Sequence, residues 1–385
     1  MNEGLTRTFD LSRVDAGGVS AICDALDVDS ANVRRHRFDA ASGILSVELT
    51  HAAARGHVEN FIAGMRQTQK LMRRKVVKEN VVADAHIGDI DAALAASPDV
   101  QILGDGLVGL RGELLALFRF LESRFREIAA EFGAEENHYP VMVPSEVLAE
   151  VGYFGHFPQH VTFCSHLPGD LPLLQSVAAE AKTSDAAPRV AGRLGEPRHI
   201  LTPAVCLPCY RRHRGAVIDG VRTLTMQNHV FRYEGTSFRP LQRGWDFTVR
   251  DIVFFGTYED LSRLREEVME RAIALCRELG LSVTIELAND PFFLDTSRDK
   301  AVYQRMGAVK YELLFPLHDG RALAASSFNL HRDFYTSIYD TRMAGGERAE
   351  SACMGFGIER WLYGYLTQRW SAGVPPAADG RLARP

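Results

Sequence analysis

His229-Val-Phe-Arg-Tyr-Glu-Gly-Thr-Ser-Phe-Arg-Pro-Leu-Gln-Arg-Gly-Trp-Asp-Phe-Thr-Val-Arg-Asp-Ile-Val-Phe-Phe-Gly256 is the stretch on which the fold of this chain turns. Val230 to Tyr233 and Phe247 to Phe255 are apolar and β-prone, and the loop between them holds Arg239, Pro240, Arg243 and Gly244. This pattern predicts a long hairpin with a charged tip. Exposed ion pairs stabilise by only about 0 to 1 kcal/mol each, so a purely structural hairpin gains little from four arginines and three acids. A polyphosphate site gains more, because guanidinium groups match phosphate oxygens in a bidentate way. Taken alone, the stretch also reads as a solvated hairpin with ordinary surface charge.

Working outward, 385 residues suffice for a large core and suggest two domains, or one with an appendage. With 46% hydrophobic and 24% charged residues, the chain has the composition of a soluble globular protein. A net charge of -5 argues against a dedicated nucleic-acid binder. Neither a leader-like start nor a long uncharged apolar run is visible, so no membrane and a cytoplasmic location are expected. The six cysteines, Cys23, Cys164, Cys206, Cys209, Cys276 and Cys353, are too scattered for a disulfide framework.

Residues 1–100 read as a small α+β unit of the βαββα kind. It has a short helix over Val19 to Leu26, a hairpin of Val33 to Arg37 with Ile44 to Leu49, and a longer helix from His57 to Lys78. The basic run Lys70, Arg73, Arg74, Lys75 and Lys78 reads first as a solvated helix face and second as a dock for an acidic partner. Leu107, Leu110, Leu114, Leu117, Phe118, Leu121, Phe125, Ile128 and Phe132 then mark an amphipathic helix stopped by Gly133. Tyr139 to Pro144 is a strand closed by proline; helix and strand together suit a dimer interface or simply a core.

Ser176 to Pro197 reads as a flexible excursion. Beyond it, strands over Thr225 to Tyr233, Phe247 to Phe255, Val283 to Leu287, Tyr311 to Leu317 and Ala322 to Leu330 accompany helices at Tyr258 to Leu279 and Gly355 to Leu366. Strands kept apart from helices predict an α+β fold with an antiparallel sheet. Residues 101–370 form that domain, and Ser371 to Pro385 reads as a disordered tail.

Phe231-Arg232-Tyr233-Glu234, the loop to Arg243 and Phe247, and Gly355-Phe356-Gly357-Ile358-Glu359-Arg360 resemble the motifs of class II aminoacyl-tRNA synthetases. Those motifs run Phe-Arg-x-Glu, a loop, Arg-x-x-x-Phe, and later Gly-x-Gly-x-Glu-Arg; Pro144 falls where the degenerate first motif would lie. The resemblance implies a class II synthetase-like sheet flanked by helices. It also implies that Arg232 binds the α-phosphate of ATP and the substrate carboxylate, and that Glu234 reads the adenine amino group. Phe247 and Arg360 would sandwich the adenine, while Arg243 and Arg360 clamp the outer phosphates.

Leu201-Thr202-Pro203-Ala204-Val205-Cys206, Asp251 and Cys353 are similar to the metal-binding segments of atypical zinc-dependent seryl-tRNA synthetases. They are similar also to those of their truncated relatives, the amino acid:[carrier protein] ligases. The runs Glu350-Ser351-Ala352-Cys353, Gly152-Tyr153-Phe154 and Ser327-Phe328-Asn329-Leu330-His331 resemble the carrier-protein ligases in particular. The resemblance implies that Cys206, Asp251 and Cys353 hold Zn²⁺ with one open position for the substrate amine. Asp251 stands where the family has Glu, and the apolar run Ala322 to Ala325 stands where seryl-tRNA synthetases carry a Mg²⁺-binding Glu. Cys206-Leu-Pro-Cys209 on its own also reads as a redox pair. Asn329, His331, Lys310 and Glu312 read equally as substrate contacts or as internally satisfied polar groups.

The expectation is therefore a Zn²⁺-, ATP- and Mg²⁺-dependent ligase, homodimeric, that activates a small amino acid. The acceptor implied is the phosphopantetheine thiol of a carrier protein rather than tRNA, since neither a helical arm nor an anticodon-binding module is visible. The alternatives are a zinc-dependent aminoacyl-tRNA synthetase acting on tRNA, and a non-catalytic paralogue that binds amino acid or adenylate.

Overall fold

In the computed structural model, residues 5–71, 75–83, 85–183, 190, 192–233, 238–288 and 310–370 are described. Glu234, Arg73, Arg74 and the tail from Ser371 to Pro385 lie outside them. The first unit runs β1 (Thr6–Asp10), α1 (Ala16–Val28), β2 (Val33–Asp39), β3 (Ile44–Leu49) and α2 (Ala54–Leu71). Its sheet has the order β1-β3-β2. Asp15 caps α1 by accepting from the Gly18 N–H. Leu45, Val47 and Leu49 alternate inward from β3 onto Ile22, Leu26, Val58 and Ile62, giving this unit a core of its own.

Next come β4 (Val76–Asn80), α3 (Asp91–Ala96), the hairpin β5 (Val100–Gly104) with β6 (Leu107–Leu110), and α4 (Gly112–Glu131). They are followed by β7 (Glu135–Glu136), β8 (Met142–Pro144), α5 (Glu146–Glu150), α6 (Tyr153–His156), β9 (Thr162–Cys164), α7 (Leu171–Thr183) and β10 (His199–Leu201). The chain continues through α8 (Leu207–Arg212), β11 (Val217–Ile218), β12 (Arg222–Phe231), β13 (Asp246–Gly256), α9 (Tyr258–Leu279), β14 (Val283–Leu287), β15 (Lys310–Pro316) and β16 (Ala322–Arg332). It ends with α10 (Phe334–Tyr339), β17 (Arg342–Met343), β18 (Glu350–Gly357) and α11 (Ile358–Arg369).

Eight strands form the central sheet in the order β4-β14-β15-β16-β18-β13-β12-β7, antiparallel except where β7 meets β12. The predicted hairpin is β12–β13 at its heart. Side chains alternate across a strand, and the alternation builds two layers. Ile252, Phe254, Phe328, Leu330, Met354 and Phe356 face a core shared with α4, α9 and α11. Val253, Phe255 and Cys353 face the opposite side, with Cys206, Tyr210 and Val230. Asp251 and Gly355, two residues from Val253 and Cys353, share that second face.

Four predicted elements differ, among them the helix expected from Gly355, which starts at Ile358 because Gly355 to Gly357 end β18. The helix expected to reach Lys78 stops at Leu71, and Val76–Asn80 is a strand on β14, with Lys78 paired to Glu266 and Glu270 at 3.4 and 2.6 Å. The amphipathic helix expected from Leu107 starts at Gly112. Leu107 and Leu110 mimic helical spacing, but Gly106 takes a left-handed φ of 69° and turns the chain into the β5–β6 hairpin. The first part of the excursion from Ser176 to Pro197, Ser176 to Thr183, is helical, as the end of α7. Among the described residues no helix is long and apolar enough to cross a membrane.

Candidate active site

Cys206 sits at the N-terminal boundary of α8, Asp251 on β13 and Cys353 on β18. Register explains the meeting of the last two: Asp251 lies opposite Gly355 and Val253 opposite Cys353 on neighbouring strands. The donor atoms of all three lie within 4.8 Å of one another, and all three side chains are buried. Burial pushes the Asp251 carboxyl up to about 6, against the thiols of Cys206 and Cys353 and the charge of Arg232. The Cys353 thiol is pushed well up, first by its hydrogen bond with Cys206 and then by burial. Three potential anions enclosed together are costly unless a cation neutralises them. Two thiols and a carboxylate suit zinc, whose bonds of about 2.0–2.3 Å place tetrahedral ligands within about 4 Å of each other.

Cys209, three residues after Cys206, is buried beside Tyr139 and outside the trio. Tyr210 and Tyr335, stacked with ring centroids 4.0 Å apart, adjoin both thiols of the trio. Behind them His331 is enclosed by the same rings, its Nδ1 lying 3.3 Å from the Tyr210 hydroxyl. This enclosure pushes the imidazole down to about 3. Asn329 donates to the Ser327 hydroxyl at 3.2 Å, and Lys310 pairs with Glu312 at 2.8 Å.

Arg232 is fixed by its Nε, which donates to the Pro203 carbonyl at 2.8 Å, and its guanidinium lies 5.6 Å from the centre of the Phe247 ring. Its charge reaches Asp251. Phe247, Arg360, Glu359, Gln242, Gly244 and Gly106 line one cleft. Arg360 is held by donating to the carbonyls of Gln242 at 2.9 Å and Ala324 at 3.0 Å. The Glu359 carboxylate accepts from the Thr248 N–H at 2.9 Å, yet burial pushes it up to about 7. Arg232 thus neighbours Phe247, which lines the cleft with Arg360, and acts on Asp251 of the cysteine–aspartate trio, while Glu234 is outside the described residues.

Arg243 is buried and turned towards the first unit, where it pairs with Asp24 and, at 3.2 Å, with Asp27 of α1. Sequence reasoning missed both acids, because two ordinary helix charges far upstream give no sign of that contact. It also missed the hairpin tip, where the Gly106 carbonyl accepts from the Trp245 N–H at 2.9 Å and closes the cleft.

The architecture is that of the class II aminoacyl-tRNA synthetases. M. kandleri SerRS, solved in complex with A. aeolicus tRNASec, aligns over 90% of this chain and 71% of its own, with a TM-score of 0.70 and 20% identity. The Naegleria fowleri cytoplasmic serine–tRNA ligase, solved with AMP, aligns over 84% of this chain and 70% of its own, with a TM-score of 0.59 and 12% identity. No protein-family model matches the chain. Amino acid–[acyl-carrier-protein] ligase 1 of Bradyrhizobium diazoefficiens is 32% identical over 233 residues, which are 60% of this chain and 70% of that protein. The chain belongs to the amino acid–[acyl-carrier-protein] ligases. The type-2 serine–tRNA ligase of Methanocaldococcus jannaschii is 26% identical over 66% of this chain, which spans about half (51%) of that protein's length.

Proposed function

We propose that this ligase activates a small amino acid with ATP and passes the aminoacyl group to the phosphopantetheine thiol of a carrier protein. The observation that carries the proposal is the placement of Arg232, with one neighbour in the nucleotide cleft, Phe247, and one in the metal-ligand trio, Asp251. A carboxylate bound beside Arg232 attacks the α-phosphorus of ATP; the bond to the β-phosphate breaks, and pyrophosphate leaves. The carrier thiol then loses its proton and attacks the carbonyl carbon of the adenylate, releasing AMP. Neither step asks for much acid–base chemistry, so rate comes from positioning and charge. Arg232 neutralises charge at the α-phosphate, and Arg243 and Arg360 take the outer phosphates together with Mg²⁺. Phe247 and Glu234 hold the adenine.

Cys206, Asp251 and Cys353 are the residues that would hold Zn²⁺, whose remaining position accepts a neutral amine and so selects substrates that carry one. Asp251, one methylene shorter than glutamate, would reach the metal from β13, its carboxylate lying over Gly355, which has no side chain. On the same reading the protein is a cytoplasmic homodimer paired through α4 and β8; the appended unit expected over residues 1–100 ends with α2 at Leu71, because β4 and α3 pack into the catalytic domain, which runs on to residue 370.

Similarity to type-2 serine–tRNA ligases over 66% of the chain favours tRNA as the second reading for the acceptor. Incubation with ATP, a labelled small amino acid, tRNA and a holo carrier protein separates the two. Label on the carrier protein is the expected result, and label on tRNA alone overturns the carrier reading.

A further inference from the structure

The first unit touches the catalytic sheet at the place where the proposed reaction needs an open arginine. Asp24 and Asp27, three apart and so on one face of α1, both reach the guanidinium of Arg243. Arg243 is flanked in sequence by Gln242 and Gly244, which line the nucleotide cleft. Asp27 is buried and is itself held at 2.6 Å by His36 Nε2, so the acidic face is built rather than incidental. One turn earlier on α1, Ser20 and Ala322 bond reciprocally. The hydroxyl donates to the Ala322 carbonyl at 2.9 Å, and the Ala322 N–H donates to the hydroxyl at 3.1 Å. Ala322 opens β16, whose Ala324 carbonyl holds Arg360.

The character of this contact matters as much as its place. The first unit's core consists of residues between Leu5 and Met65, while the two cores of the catalytic domain begin at Val77 and Tyr139. Among the described residues, no apolar cluster joins the unit to the catalytic domain. Ion pairs and hydrogen bonds hold it there; the Asp24 end is open to solvent and the Asp27 end is buried, so Arg243 leaves these carboxylates only where another anion takes their place.

We infer that α1 is a displaceable cap on the nucleotide site: its two carboxylates occupy Arg243 in place of the outer phosphates of ATP, and ATP binding detaches the cap. This rests on the proposed role of Arg243 as an outer-phosphate ligand. A triphosphate outcompetes two carboxylates because it brings more charge and offers the guanidinium bidentate oxygens. AMP lacks the outer phosphates and does not compete. The acidic face thereby ties the position of the appended unit to the occupancy of the active site.

Titration calorimetry on the full chain, with AMP-PNP plus Mg²⁺ and separately with AMP, tests this. Asp24 is half exposed, so Asp24→Asn leaves the unit folded. The variant should bind AMP-PNP roughly twofold to fivefold more tightly than wild type, about the effect of removing one competing half-exposed charge pair, with AMP affinity unchanged. An unchanged or weaker AMP-PNP affinity overturns the cap. Hydrogen exchange on the wild-type chain provides a readout independent of any variant. Residues 16–28 should exchange faster with AMP-PNP than with AMP, and equal rates also overturn it. If neither nucleotide binds the wild-type chain, the nucleotide reading itself fails and takes the cap with it; if both bind and Asp24→Asn changes nothing, only the cap fails.

Discussion

Gly355 has no room for a side chain, because a Cβ there would lie 2.8 Å from Asp251 Oδ1 and 3.3 Å from Ser327 Oγ. Gly355→Ala should therefore push Asp251 away from the two cysteines. The expected outcome is loss of bound zinc with the fold retained, read by metal analysis and circular dichroism; Cys353→Ser should give the same pair of results. Arg360 makes no contact with the trio, and its neighbours are the carbonyls of Gln242 and Ala324. Arg360→Ala should lower adenylate formation by about 10² to 10³, the usual effect of losing one charge-stabilising donor, at unchanged zinc content. Retained exchange activity would remove Arg360 from the site. At this scale much was legible. Arg232, Phe247 and Arg360 were singled out by resemblance to the class II motifs, and Cys206, Asp251 and Cys353 meet in space. The partners of Arg243 did not announce themselves, because an ion pair between distant segments leaves no periodicity.

Elements show where local rules prevail and where they yield. The alternation in β13 and β18 is plain in Ile252 to Phe255 and Ala352 to Phe356, and it fixes which residues face the site. Helix ends were harder to read: leucines at positions 107 and 110 fit a helix until Gly106 turns the backbone, and Val76 to Asn80 becomes a strand because β14 offers it an edge. Packing of α11 on β15 leaves Gly364 against Phe315, with a would-be Cβ 2.3 Å from ring carbon Cγ. Gly364→Ala should destabilise by about 1–3 kcal/mol through overpacking, offset in part by a helix-propensity gain of up to about 1 kcal/mol. A lowered midpoint in urea checks this.

His331 on β16 gives a pH prediction. Its imidazole falls from 6.5 to about 3 on folding because it is desolvated, so the unfolded chain binds more protons between those values. Its contribution to stability is complete above pH 6.5 and is lost progressively as pH falls towards about 3. Urea unfolding near pH 7 and near pH 5 should show the wild type losing more stability on acidification than His331→Gln; equal losses would contradict the assignment.

For the whole molecule, the antiparallel α+β sheet followed from the order of strands and helices, and the class II likeness from three short motifs. Composition and motif order carried no information on how the first unit sits on the catalytic sheet. That placement depends on Ser20, Asp24 and Asp27 meeting Ala322 and Arg243, which are polar contacts without a pattern. The central claim concerns the molecule as an engine for adenylate formation. Its most direct test is amino acid-dependent exchange of labelled pyrophosphate into ATP across a panel of amino acids, with the zinc-loaded full chain. The account predicts exchange with at least one small amino acid and none when the amine is absent from the substrate; no exchange with any amino acid would contradict it.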